Sequence, residues 1–259
     1  MPDDMTHTDD TTTTVRQRAI EASRRSAGAV GDIGARFMLD MDMYGDAATL
    51  GYGGLAFYFA GRGGVLGDVD HTVVYETFTF FPAETVREAW ESSATVENRS
   101  ESAQRFASYA GSWATAHLPA EGVDYRRLAE LAGKVIDAAD AETAPVFAGW
   151  RELDEPTGDR ELAVHRMNAL RELRGARHTA AVREVGLPPV EAFFIRSPGM
   201  AAIFGWETPE EEPTDQARAV WQQAEDLTDD RFGADLAVLD DAELDEFCEL
   251  ADALQAAIT

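Results

Sequence analysis

Apolar residues recur at intervals of three and four along most of the chain, with charged residues between them, which predicts an almost entirely α-helical protein. Ile20, Ala27, Val30, Ile33, Phe37 and Met41 mark a helix over about residues 15–41, loosened at Gly28, Gly31 and Gly34. Phe106, Tyr109, Trp113 and Ala116 form one stripe over 102–117 that Pro119 ends. Asp124 suits the N-cap of a helix bearing Leu128, Leu131, Val135 and Ile136. Shorter helices follow near 142–153 and beyond Pro188 and Pro189, and a longer one starts at about Thr214. The last helix opens with Asp240 and Glu243 in the relation of a capping box. Its apolar residues Leu244, Phe247, Ala251, Leu254 and Ile258 alternate like a coiled-coil seam, which would suit a homodimer through 240–258.

Two stretches break the regular pattern. Residues 47–67 are the most apolar of the chain, yet they carry several glycines and Arg62 and fall short of the roughly 20 apolar residues of a membrane span. They read as a buried helix over about 47–60 and a flexible glycine turn around Arg62; without a lysine in the Walker position, that turn makes a poor phosphate loop. The run HTVVYETFTFFP has strand propensity, but its neighbours are helical and we assign it to a helix. A stretch rich in Pro, Gly and Glu over 197–213 marks a loop. The expected organisation is therefore a disordered acidic tail at 1–14, a helical core at 15–197, and a C-terminal helical segment at 198–259.

Charge changes this picture of an ordinary helical bundle. Asp and Glu total 48 against 22 Lys plus Arg, for a formal net charge of -26, and Lys134 is the one lysine. Such a surface suits molar salt, where screening shortens the Debye length to about 3 Å, as in extreme halophiles. Cys248 is the single cysteine, so no intramolecular disulfide and no cysteine-based zinc site can form, and a reducing cytoplasm is the expected compartment.

Against this acidity, residues 161–186 gather Arg166, Arg171, Arg174, Arg177 and Arg183 with His165 and His178. Arg171, Arg174 and His178 share one helix face by their spacing, while Gly175 suggests a break into two helices there. The arginines could pair with carboxylates of neighbouring helices, or they could hold an anion. A metal site from His165 and His178 fits no standard ligand spacing, and no cofactor signature is present.

The sequence resembles the SalK-type helix-turn-helix family, which is distantly similar to winged-helix regulators. The resemblance rests on AFYFAGRGGVLGDV, on VVYETFTFFP followed by Trp90, and on LRELRGARHTAAVREVGLPPVEA. A family run LRE-x-RGDGH maps onto Leu170, Arg171, Glu172, Arg174, Gly175 and His178, with Leu173 where a second histidine is frequent and Ala176-Arg177 in place of Asp-Gly. Together with the acidic, lysine-poor composition it reads as a haloarchaeal-type member, and the family label implies a DNA-binding regulator. Here, however, Gly205-Trp206 is followed almost directly by ETPEEEPTD, so the winged-helix segment is reduced or absent. The basic stripe that DNA binding requires is also missing outside 165–183.

Three functions compete. The first is a soluble, regulatory binding protein that holds a small organic anion between Arg62, Arg171, Arg174 and His178 and the aromatics Tyr52, Tyr58, Phe78 and Phe80. The second is the DNA-binding regulator. The third is an enzyme with His178 as general acid or base and arginines stabilising negative charge.

Overall fold

A computed structural model describes the backbone of residues 6–258 and the side chains of residues 15–258. Among these it contains thirteen α-helices and no strand, so the protein is an all-α bundle without a β-hairpin wing. The helices are α1 (Thr6–Arg36), α2 (Met41–Leu50), α3 (Ala56–Gly63), α4 (His71–Thr77), α5 (Ala83–Ser93), α6 (Arg99–His117) and α7 (Tyr125–Ala138). They continue with α8 (Pro145–Trp150), α9 (Asp159–Glu184), α10 (Pro189–Arg196), α11 (Ala201–Phe204), α12 (Asp215–Leu236) and α13 (Asp241–Ala257).

Helix α9 is the axis. It packs against α1, α6, α7 and α12, and Ala163, Val164, Met167, Ala169, Leu170 and Leu173 are all buried along it. Its 26 residues run unbroken through Gly175, where the sequence suggested a break. Packing on several sides outweighs a glycine penalty of about 1 kcal/mol. For the same reason α1 continues through Gly28, Gly31 and Gly34: a Cβ at Gly34 would overlap the Arg171 side chain, so glycine there lets the two helices approach.

The caps fall where the sequence places them. Asp124 accepts from the Arg127 N–H, Thr214 from Ala217, and Asp240 from Ala242 and Glu243. Asp70 caps α4 in the same way, and this, with Val74 buried, holds the first part of the β-branched run as a helix, but the helix assigned to the whole run stops at Thr77 and residues 78–82 are a turn.

Three expectations need correction. The apolar stretch is two helices, because Gly51 adopts φ 108° and ends α2 before α3 begins. The glycines after it are not a flexible turn: Gly61 faces Phe106 and Gly64 faces the Arg99 carbonyl, so both are packed where a side chain would not fit. The terminal seam is filled from within the chain. Leu244, Phe247, Ala251 and Leu254 are buried as α13 lies on α1 and α7. Of the expected tail, residues 1–5 lie outside the described residues, and α1 begins at Thr6. Since α12 and α13 close on α1, the segment beyond 198 completes the same core.

Candidate functional site

One cavity of about 780 Å³ opens beside the middle of α9. Arg171, Arg174, Gly175 and His178 of α9 form one wall; Tyr58 and Arg62 of α3 and Phe78, Phe80 and Phe81 after α4 form the other. All seven residues singled out for an anion site, Tyr58, Arg62, Phe78, Phe80, Arg171, Arg174 and His178, therefore line it. Tyr52 does not: it is buried elsewhere, with its hydroxyl on Ser102 at 2.7 Å and Glu97 at 3.0 Å. Phe204 of α11 adds a further aromatic and stacks on Phe81 with ring centres 4.3 Å apart.

The aromatic wall is pinned at both ends. Trp90 donates its indole N–H to the Val69 carbonyl ahead of α4, and Trp206 donates to the Phe80 carbonyl behind it. Arg183, from the last turn of α9, donates to the Glu76 carbonyl at 2.6 Å and to the Thr79 hydroxyl at 3.2 Å.

At one end of the cavity Glu172 is 3% exposed and holds two arginines. Arg62 donates to both its oxygens, at 2.8 and 2.7 Å, and also to the Tyr58 hydroxyl, and its guanidinium lies 4.5 Å from the centre of the Phe78 ring. Arg171 donates once to Glu172, at 2.8 Å, and no other side-chain partner is seen for it among the described residues. Burial works against both charges, but attraction outweighs it: the Arg62 pKa is raised by Glu172 and Tyr58, and the Glu172 pKa is lowered by Arg62 and Arg171. The triad carries two positive charges against one negative.

At the other end Arg174 and His178 face α12. Arg174 reaches Glu225 at 3.3 Å and Asp229 at 3.2 Å, and Asp229 in turn meets Arg24 and Ser23 of α1. His178 sits between Phe80 and Trp221 with its Nδ1 3.0 Å from the Thr228 hydroxyl. That hydroxyl donates its one proton to the Ala224 carbonyl at 2.7 Å, so Nδ1 must carry the proton and Thr228 must accept it. Nε2 is left as a lone-pair acceptor without a hydrogen-bond partner among the described residues. Burial first, and then Arg174 and Arg196, push the His178 pKa down to about 4, so the ring is neutral near pH 7. The pair is not an activated nucleophile, because the Thr228 proton is already committed to the backbone.

The other arginines of the segment point elsewhere. Arg166 pairs with Glu155, and Arg177 pairs with Asp235. Pairing with carboxylates thus accounts for Arg166, Arg174 and Arg177 and for part of Arg171. Arg183 and Arg196 have no carboxylate partner among the described residues; Arg183 lines the cavity, and Arg196 is close enough to depress His178. His165 lies thirteen residues from His178 on one straight helix, about 20 Å away, so the two cannot share a metal ion. Among the described residues no group of three or more His, Cys, Asp or Glu is placed to hold a metal. Burial pushes the Cys248 thiol up to about 11, which leaves it unreactive.

Sequence reasoning missed Glu172, Glu225, Asp229 and Thr228. Glu172 stands inside the run that carries the resemblance, but its link to Arg62 spans 110 positions and leaves no periodic trace.

Fold and site together define an all-α protein with an arginine- and aromatic-lined cavity beside its central helix. Residues 23–204 match a family described as a helix-turn-helix family, and the chain belongs to it. No curated protein and no solved structure matches. The family match covers α9 and both cavity walls, but Glu225, Thr228 and Asp229 lie beyond it on α12. Among the described residues, no helix is long and apolar enough to cross a membrane.

Proposed function

We propose that this protein is a regulatory binding protein that holds a small organic anion in the cavity beside α9. The observation that carries the proposal is Glu172 shared between Arg62 and Arg171, which leaves a partly unpartnered guanidinium facing open space in a chain of net charge -26. Counting the charges that line the cavity and are not matched across to α12, Arg62, Arg171 and Arg183 stand against Glu172 and Glu76. A carboxylate would complete that balance, and the aromatic wall would bury its apolar part. Native mass spectrometry of the protein purified from its own host tests this. A retained small acid supports the proposal, whereas an empty protein that also fails to bind added carboxylates overturns it.

Family membership favours a second reading, a DNA-binding regulator, of which the cavity would be the sensing site. Its electrostatics are unfavourable, since seventeen of the 22 basic residues form ion pairs with carboxylates among the described residues and no wing is present there. A mobility shift in molar potassium salt with the upstream region of its own gene decides it. An enzymatic role for His178 is the remaining reading: the neutral ring offers Nε2 as a base, but no nucleophile accompanies it. Within the family we place the chain with the SalK-type members, and we read its acidic, lysine-poor surface as an adaptation to molar salt of haloarchaeal type.

A further inference from the structure

We infer that the cavity takes a planar aromatic carboxylate carrying a hydrogen-bond donor, a hydroxyl or amino group, at the end of the ring remote from the acid. This rests on the anion reading above and goes further by fixing what lies at each end.

The acid end is set by Arg171, whose guanidinium uses one N–H on Glu172 and has no other side-chain partner among the described residues. The opposite end is set by His178, because Thr228 fixes its proton on Nδ1 and leaves Nε2 able only to accept. A ligand that buries Nε2 without donating to it would leave a lone pair unsatisfied, so a donor is required there. Arg171 and His178 are seven residues apart on one face of an unbroken helix, about 10 Å along its axis. That spacing matches an acid separated from a para substituent by a ring and a short chain, and it excludes a hydroxyl ortho to the acid.

Between the two lies Gly175. A Cβ built there meets nothing within 4 Å, and the same holds for Gly31 of α1, which also borders the cavity. Both glycines sit inside helices, where they cost stability, and no neighbour demands their smallness. They leave open space over the backbone in a cavity that Phe78 and Phe80 also line. Aromatic faces favour a ring over a saturated chain of equal area.

The test uses the full chain in molar KCl and four probes: 3-(4-hydroxyphenyl)propanoate, 3-phenylpropanoate, 3-cyclohexylpropanoate and 2-hydroxybenzoate. The expected order of affinity places the first about tenfold ahead of the second, with the last two weaker still. In His178→Phe that tenfold preference should vanish while 3-phenylpropanoate still binds. Gly175→Leu, or Gly31→Leu should the first not fold, should keep the helical spectrum and abolish binding of all four. Equal affinity for the hydroxylated, plain and saturated acids in the parent overturns this inference but leaves the anion reading standing. Failure of every carboxylate to bind the parent overturns both.

Discussion

Glu172 is the residue on which the charge balance of the cavity turns. Arg62, with a side chain 16% exposed, is anchored by both oxygens of Glu172, whereas Arg171 makes a single contact. Replacing Glu172 by Gln would leave two cations uncompensated in a largely buried place, and we expect a loss of about 3–5 kcal/mol in urea unfolding. Arg171→Leu leaves Glu172 with its bidentate partner, and its unfolding midpoint should stay within about 0.5 kcal/mol of the parent. Equal, large losses in both variants would mean that Arg171 is a structural ion-pair partner and not a free donor.

His178 makes a prediction in pH. Its ordinary value is 6.5, but burial, Arg174 and Arg196 hold the folded value at about 4, with Glu225 facing the ring at 3.5 Å. Between those values the unfolded chain binds a proton that the folded chain refuses, so this contribution is complete above pH 6.5 and is lost as pH falls toward 4. The whole window is worth about 3 kcal/mol at 1.36 kcal/mol per pH unit. Urea unfolding of His178→Phe should show a correspondingly shallower acid slope than the parent. An identical slope would contradict the assignment.

At the scale of elements, α9 shows how packing overrides local preference. Gly175 sits in its interior with open space beside it, so Gly175→Ala should raise stability by about 1 kcal/mol, read from the thermal midpoint. Destabilisation would mean that the helix is broken or strained there. On α13, Leu254 is fully buried against its own chain, so Leu254→Asp should unfold the protein. A folded monomer from a dimeric parent, seen by light scattering, would restore the dimer seam.

These two helices also show what was legible in the sequence. The common face of Arg171, Arg174 and His178 follows from helical period alone, and the caps at Asp124, Thr214 and Asp240 follow from local hydrogen-bond chemistry. Tyr58, Arg62, Phe78 and Phe80 line the same cavity, but no period or spacing in the sequence ties them to that face. Period says that a face of α13 is buried, but not against which partner; here α1 and α7 of the same chain cover it. Likewise the penalty at Gly175 is local and visible, while the tertiary packing that outweighs it is not.

For the whole molecule, the dominant quantity is a net charge of -26. Many arginines are held in exposed pairs such as Arg16 with Asp230 and Arg25 with Asp252, each worth little alone, and they cannot neutralise 48 carboxylates. As salt falls from molar to about 0.1 M, the Debye length grows from about 3 to about 10 Å, and self-repulsion should unfold the bundle. Far-UV circular dichroism during dialysis measures this, and an unchanged helical signal at low salt would contradict it. The cavity then stands out as a place where cations outnumber nearby carboxylates within an acidic whole, so an organic anion should bind there even in competition with molar chloride. The most direct measurement is a calorimetric titration of the parent and of Arg171→Leu with 3-phenylpropanoate in molar KCl. We predict saturable binding at one site per chain, weakened about 10- to 100-fold in the variant while its fold and melting temperature are retained. No heat and no rise in melting temperature for the parent with any carboxylate, or equal binding by both proteins, would contradict the account.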